Sequence, residues 1–493
     1  MPHSFPENLA YRPYLSAPRY LTALGVVLTA LTCTSHAQNA DDLAKTLTPV
    51  GAERAANKDG SIPAWAPEKQ DSNWTYGKLR KDAWKYHNDK PLYAVDAGNV
   101  DKYADKLSPG QVALIKQTKG YRMDVYPTRR SCNVPDFVAE NTKKNVSLAK
   151  MNANGWAIED ALVPGVPFPM PRNGAEAMVN MSLRYRGVAA EYKNGSTLVS
   201  PRAGSTEWIN YGYDQTNFWP WAAKGSRKLS DDRSSHQHTF FGFTSPAALA
   251  GQAGVISDFF DKSGNDAFYY FPGQRRVRRL PSYGYDAPQI GFENQYAVDE
   301  VQVFTGAIDR FDWKLVGKKE LIVPYNAFGL YDFTAKLHDV VGDDFINPKN
   351  RRYELHRVWV IEATVKQGVR HLSPKRTFYL DEDSWNPVLA EDYDGQGKLW
   401  KLREGFVIPV FEIGACDVSA FAQHNLPDHR YLLDFHAVGT GTDVKWRSQR
   451  ALKTSSSGEA HENTSYPCHC SSLSGTALRI KPCRQNSDRH DFG

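Results

Sequence analysis

The chain has 493 residues, 41% of them hydrophobic and 12% aromatic, which is enough apolar material for a large core. Its formal charge of +5 is spread over 60 basic and 55 acidic residues, a balance too even to favour nucleic acid as a partner. Beyond the N-terminal region no apolar run approaches the roughly 20 residues of a membrane-spanning helix; the best, Ala247 to Ile256, is short and broken by glycines.

The chain opens with Arg12 and Arg19, an apolar run from Tyr20 to Leu31, and the small-residue site Ser35-His36-Ala37. That order predicts a secretory signal peptide over residues 1–37, cut after Ala37, and hence a periplasmic address with a link to the outer membrane as an extension of it. Cys33 follows Ala30 and Thr32, where lipid attachment prefers Leu and a small residue, so lipidation has weak support. Residues 38–160 read as a helical and irregular extension. Within it Ser108-Pro109-Gly110-Gln111 predicts a capped helix, with Ser108 at the N-cap and Pro109 in the first turn. Val163 to Pro171 holds four prolines, so it is an extended connector, and it feeds a helix predicted from Gly174 to Tyr185.

From there the period changes to two. Residues 353–365 alternate Tyr353, Leu355, Arg357, Trp359, Ile361 and Ala363 against Glu354, His356, Val358, Val360 and Glu362, which predicts a long strand with one greasy face. Further strands are predicted at 266–272, 275–280, 299–305, 311–323, 327–336, 376–380, 385–392 and 398–408. Strands this closely spaced leave no room for crossover helices, so the sheet is antiparallel. The expected fold is α+β: a curved antiparallel half-barrel over residues 161–438, covered by helices around an apolar cavity. Residues 439–493 are rich in Ser, His and Cys without periodicity, and read as disordered or foreign to the fold. Cys132 and Cys416 are the two cysteines of the body; an oxidising compartment permits a bridge, which spacing alone does not establish.

Catalytic signatures are absent: no nucleophile elbow, zincin helix, phosphate loop or dinucleotide fingerprint occurs. His236 and His238 share a strand face but lack further ligands nearby, and Asp392-x-Asp394-Gly395 lacks the distal glutamate of a calcium loop. Asp381, Glu382 and Asp383 fall in a turn, where acidic residues ordinarily serve the turn itself. No catalytic residue, metal or cofactor is therefore assigned. Two stretches stand out. Phe268 to Phe271 leads into Arg275, Arg276, Arg278 and Arg279, which could hold an anionic head or simply charge an exposed edge. Trp219 and Trp221, with Trp208 and Tyr211, could line an apolar pocket, although core is the better assignment.

These stretches carry a resemblance. Gly51-Ala52-Glu53 through Trp65, Tyr121 to Pro127, Gly165 to Pro169, Tyr270 to Arg279 and Tyr353 to Trp359 resemble, in order, the motifs of an exported proteobacterial family called domain of unknown function 1329, a lipoprotein-sorting protein homologue. The resemblance covers roughly residues 45–430 and implies the half-barrel of the lipoprotein carriers, around a greasy cavity. It also implies association with a resistance-nodulation-division exporter and an outer-membrane protein, and brings no catalytic residue. The expected function is a periplasmic, non-enzymatic carrier of a lipid or other lipophilic molecule. The alternatives are an enzyme acting on a lipophilic substrate and a structural adaptor of a transport complex. The candidate ligand-binding residues are Phe168, Trp219, Trp221, Tyr270, Arg275, Arg279 and Trp359.

Overall fold

Alternating β-branched and aromatic residues build most of the molecule. The computed structural model describes residues 39–66, 73–231, 235–281 and 283–449, with two short strand pieces at His469–Cys470 and Ile480–Lys481. The signal peptide, Cys33 and most of the 439–493 tail lie outside the described residues. One sheet of 16 strands dominates. In chain order they are β1 (Tyr93–Asp96), β2 (Arg122–Tyr126), β3 (Ala189–Val199), β4 (Ile209–Phe218), β5 (Gln237–Ser245), β6 (Ala253–Asp258), β7 (Asn265–Phe271) and β8 (Arg276–Arg279). They continue as β9 (Phe311–Pro324), β10 (Tyr353–Val365), β11 (Lys375–Asp381), β12 (Pro387–Tyr393), β13 (Leu399–Val410), β14 (Ala415–Asn425), β15 (Arg430–Asp434) and β16 (Lys445–Arg447).

The spatial order is β1-β2-β10-β11-β12-β13-β14-β15-β3-β4-β5-β6-β7-β8, with β9 on the free side of β10 and β16 beside the start of β3. Every pairing is antiparallel except the short one between β2 and β10. The sheet is curved and does not close, which is the half-barrel expected from the two-residue period. Three helices of nine or more residues accompany it among the described residues: α1 (Pro109–Gln117), α2 (Asp136–Leu148) and α3 (Gly174–Ser182). Ser108 caps α1 as read, its hydroxyl accepting from the Gln111 N–H while the Gln111 side chain accepts from the Ser108 N–H. The proline connector cannot satisfy its own backbone, and α2 does so for it. Asn141 donates to the Pro164 carbonyl, and Asn145 to those of Leu162 and Val166.

Several expectations change. The strand at 353–365 is present residue for residue, but both its faces are buried. Phe378, Leu380, Phe406 and Ile408 pack on one side of the sheet with α3, while Val358, Val360, Tyr379 and Val407 pack on the other with Ile115, Met123 and Val125. The N-terminal segment thus covers the convex face and adds β1 and β2 to the sheet, which accordingly crosses the boundary drawn at residue 160. At the other end Lys445–Arg447 pairs with Ala189–Glu191, so the sheet also runs past 438. The strand expected at 299–305 is instead a 3-10 segment, Val298–Val303, because Gln302 and Val303 take positive φ. Residues 327–336 form a 3-10 turn, Phe328–Tyr331, followed by an Asp332-centred turn. Cys132 and Cys416 are disulfide-bonded, fastening the N-terminal segment to β14.

Candidate functional site

The inward side chains of β3 to β7 form the floor of a cleft. Two-residue alternation places Thr197 of β3, Tyr213, Gln215 and Asn217 of β4, and Gln237, Thr239, Phe241 and Phe243 of β5 on one face. Cross-strand register continues the rows. Gln215, Phe241, Gly254 and Tyr269 stand side by side, then Asn217, Thr239, Ile256 and Ala267, then Gln237, Asp258 and Asn265. Gly254 is required in the first row: a Cβ there would collide with the Phe241 ring, which lies across β6.

The roof is a strap, residues 283–307, that crosses the concave face without regular structure apart from its 3-10 turn. Tyr283, Tyr285, Phe292, Tyr296, Val298 and Val301 look down from it. Buried charges hold the strap to the sheet. Asp299 pairs with Arg376 at 2.6 Å and with His371 at 3.0 Å, and Glu300 pairs with Lys401 at 2.7 Å. Burial alone would raise the Asp299 carboxyl, but Arg376 and His371 outweigh it and bring it down to about 2. Beneath, Arg376 and Arg403 share Asp392, whose carboxyl they hold far below the usual range against the opposing effect of burial.

Floor and roof enclose about 1250 Å³, the open mouth included. The lining mixes phenyl and phenol rings with amides and hydroxyls. Two carboxyls belong to it. Asp434 accepts from Thr197, Tyr213, Tyr296 and the Phe435 N–H at 2.7–3.0 Å, yet its burial keeps it up at about 6. Asp258 is pushed up to about 7 by burial, with only a hydrogen bond from Asn265 opposing.

None of the seven candidate residues lines this cleft. Phe168 is buried beneath the connector, its N–H given to Asn180 of α3. Trp219 and Trp221 are core, as the weighing of the sequence favoured; their indole N–H groups donate to Gln237 Oε1 and the His236 carbonyl. Trp359 stacks parallel to the buried Trp385 at 6.0 Å, with the Lys318 ammonium over its face. Tyr270 is one residue out of phase: Tyr269 points into the cleft and Tyr270 away from it. Arg275 lies in a left-handed turn before β8 rather than on the strand, and Arg279 is exposed and paired with Asp266. The arginines therefore charge the exposed edge of the sheet.

The acidic turn does more than cap itself. Asp383 is gripped by Arg130 through two bonds of 2.7 and 2.8 Å, and Glu382 pairs with Lys318 and Arg357. His356, Asp381 and Asp383 bring their ligand atoms within 4.8 Å of one another, the one such buried group of three among the described residues. Arg130 bonds to Asp383 and Glu354 to His356 Nε2, while one buried Asp381 oxygen is left without a hydrogen-bond partner. His236 and His238 bond to Ser182, Ser235 and Ser257 and share no carboxylate, and Asp394 closes the 394–398 hairpin turn. No described helix is long and apolar enough to cross a membrane.

Comparison with known proteins agrees with the motifs. The model of a family described as protein of unknown function (DUF1329) matches residues 94–466. An uncharacterized protein of Pseudomonas aeruginosa is 37% identical over 415 residues, 83% of this chain and 90% of that protein. Among solved structures, a DUF1329 family protein from Desulfovibrio piger aligns with 57% of this chain and 93% of its own, at 13% identity and a TM-score of 0.37. A LolA superfamily protein from Nitrosomonas europaea aligns with 56% and 94%, at 12% identity and a TM-score of 0.34.

Proposed function

We propose the following function for this chain, which belongs to the DUF1329 family: it holds a lipophilic molecule in the cleft between β3–β7 and the strap, and does so in the periplasm. The observation that carries the reading is the cleft itself, a roofed concavity of ring-bearing side chains on the open half of a curved sheet. Such a site needs no reaction to be useful. Each methylene removed from water contributes about 0.8 kcal/mol, so a chain or ring system is retained by burial and released when a partner offers equal cover. The resistance-nodulation-division exporter and outer-membrane companion implied by the family motifs are the partners this reading assigns to that hand-off.

The test is native mass spectrometry of the mature protein purified from the periplasm without detergent. A retained small-molecule mass is expected, and it should be absent from Thr239→Trp, which fills the middle of the floor. A bare mass that persists after incubation with envelope lipid extract would overturn the reading and favour an adaptor that docks through the exposed edge strand β8.

A further inference from the structure

We infer that the cleft selects a lipophilic molecule whose polar end is a cation, an ammonium seated at Asp258 with its apolar body running toward Phe241 and Tyr269. This deepens the proposed function and rests on it. The first observation is the sign of the lining: among the described residues it includes two aspartates and no lysine, arginine or histidine. An anionic head would enter a space that offers it only repulsion from two carboxyls and the weaker dipoles of amides and hydroxyls.

The second observation is how the molecule treats its buried acids, against which the half-buried Asp258 stands apart. Asp299, Glu300, Glu382, Asp383, Asp392 and Asp417 each face an arginine or lysine. Asp381, Glu391 and Asp434 lack one but are met by several hydrogen-bond donors: Tyr325 and Ser384 at Asp381, the Gly110 N–H, Tyr379 and Tyr393 at Glu391, and four groups at Asp434. Asp258 forms no ion pair among the described residues. Its row neighbours across the sheet are Gln237 and Asn265, both neutral amides. Burial raises its carboxyl to about 7, and an incoming ammonium is the group that would stabilise the ionised form.

The third observation is polarity along the strands. Asp258 and Gly254 are four residues apart on β6, so the Asp258 row and the Phe241–Tyr269 row are separated by about 13 Å. Amides surround the first and rings the second. Over the first passes the 283–285 part of the strap, with Gly284 against the Asn265 side chain. The site thus has a polar end and an apolar end, and a ligand matching both is elongated. Arg278 stands opposite Tyr269 at the far end, exposed and donating to Gln274, outside the lining.

The test is isothermal titration of the mature protein with decylamine, decanol and decanoate, below their aggregation concentrations at pH 7.5. The amine is expected to bind about tenfold or more tightly than the carboxylate, the order of a charge-assisted contact. Asp258→Asn should weaken the amine about tenfold while leaving the alcohol unchanged. Decanoate binding as tightly as decylamine, or an amine preference that survives Asp258→Asn, overturns the charge assignment while leaving the carrier reading standing. Failure of all three to bind overturns both.

Discussion

Removing the Cys132–Cys416 bridge should cost this protein as much stability as a severe truncation in its core. The bond joins residues 284 apart, fastening the N-terminal segment to β14 across the convex face of the sheet. In the chain-entropy account the loss from the unfolded ensemble grows with the logarithm of the loop, giving about 5 to 6 kcal/mol at this length. Measured losses for native bridges are about 2–5 kcal/mol, because unfolded chains are never random, so the lower half of the combined range is the expectation. The native surroundings add little relief. Cys132 and Cys416 are both buried, and the Tyr325 hydroxyl that meets the Cys132 sulfur also donates to Asp381 at 3.0 Å. Cys132→Ala/Cys416→Ala therefore leaves the fold intact but closer to unfolding. The assay is urea denaturation of both proteins followed by fluorescence and circular dichroism, with hydrogen exchange of β1 and β2 as the local probe. A loss below about 1 kcal/mol would refute the reasoning, since it would mean that the buried ion pairs of Arg130 with Asp383 and of Arg80 with Glu412 and Asp443 already hold the segment.

Three other outcomes are expected. Trp385→Ala empties a fully buried site, severs the indole bond to the Val50 carbonyl and strips the ring from under Trp359; chemical denaturation should show a loss of about 3–5 kcal/mol. Gly405→Ala places a methyl against the Pro387 carbonyl and a Val418 methyl at the bulge between β13 and β14, and should cost about 1–3 kcal/mol in the same measurement. His436 is held neutral by burial, its pKa pushed down to about 4 from 6.5. The unfolded chain takes up that proton below about 6.5 and the folded chain waits until about 4, so the stability due to this group drains away as pH falls through that window, by about 3 kcal/mol in all. Asp434, raised to about 6, acts in the opposite sense between about 4 and 6. The pH dependence is therefore read as the difference between wild type and His436→Gln, whose stability should decline less from pH 6.5 to 4.

What the sequence made legible is what local pattern encodes. The β10 strand came out at its true ends because thirteen residues alternate without a break, and α1 because Ser108 to Gln111 is a complete cap. The roof of the cleft did not, since residues 283–307 have neither period and owe their path to Asp299 and Glu300 meeting Arg376 and Lys401 far along the chain. Those charges also disguised the sheet. Glu354, Arg376, Asp392 and Arg403 are each buried against a partner that spacing does not disclose. That Tyr269 and not Tyr270 faces the cleft has a simpler origin. With Phe268, Tyr269, Tyr270 and Phe271 in succession, both faces of β7 carry rings, and alternation cannot say which set turns inward. Trp219 and Trp221 are core, as the weighing favoured: large flat side chains mark a core as readily as a pocket.

The two halves of the sheet are enclosed to different degrees. Strands β10 to β15 are covered above and below, whereas β5 to β8 are covered on one side only and β8 is exposed throughout. The former behave as a keel and the latter as a wing. A keel of this kind punishes nearly every change, since each side chain answers to neighbours on its own face and each backbone group to two strands. The wing carries the cleft, and substitutions in its inward rows disturb few other contacts. The cleft can therefore be reshaped by substitutions in the wing while the keel, its clip and its buried ion pairs stay as they are.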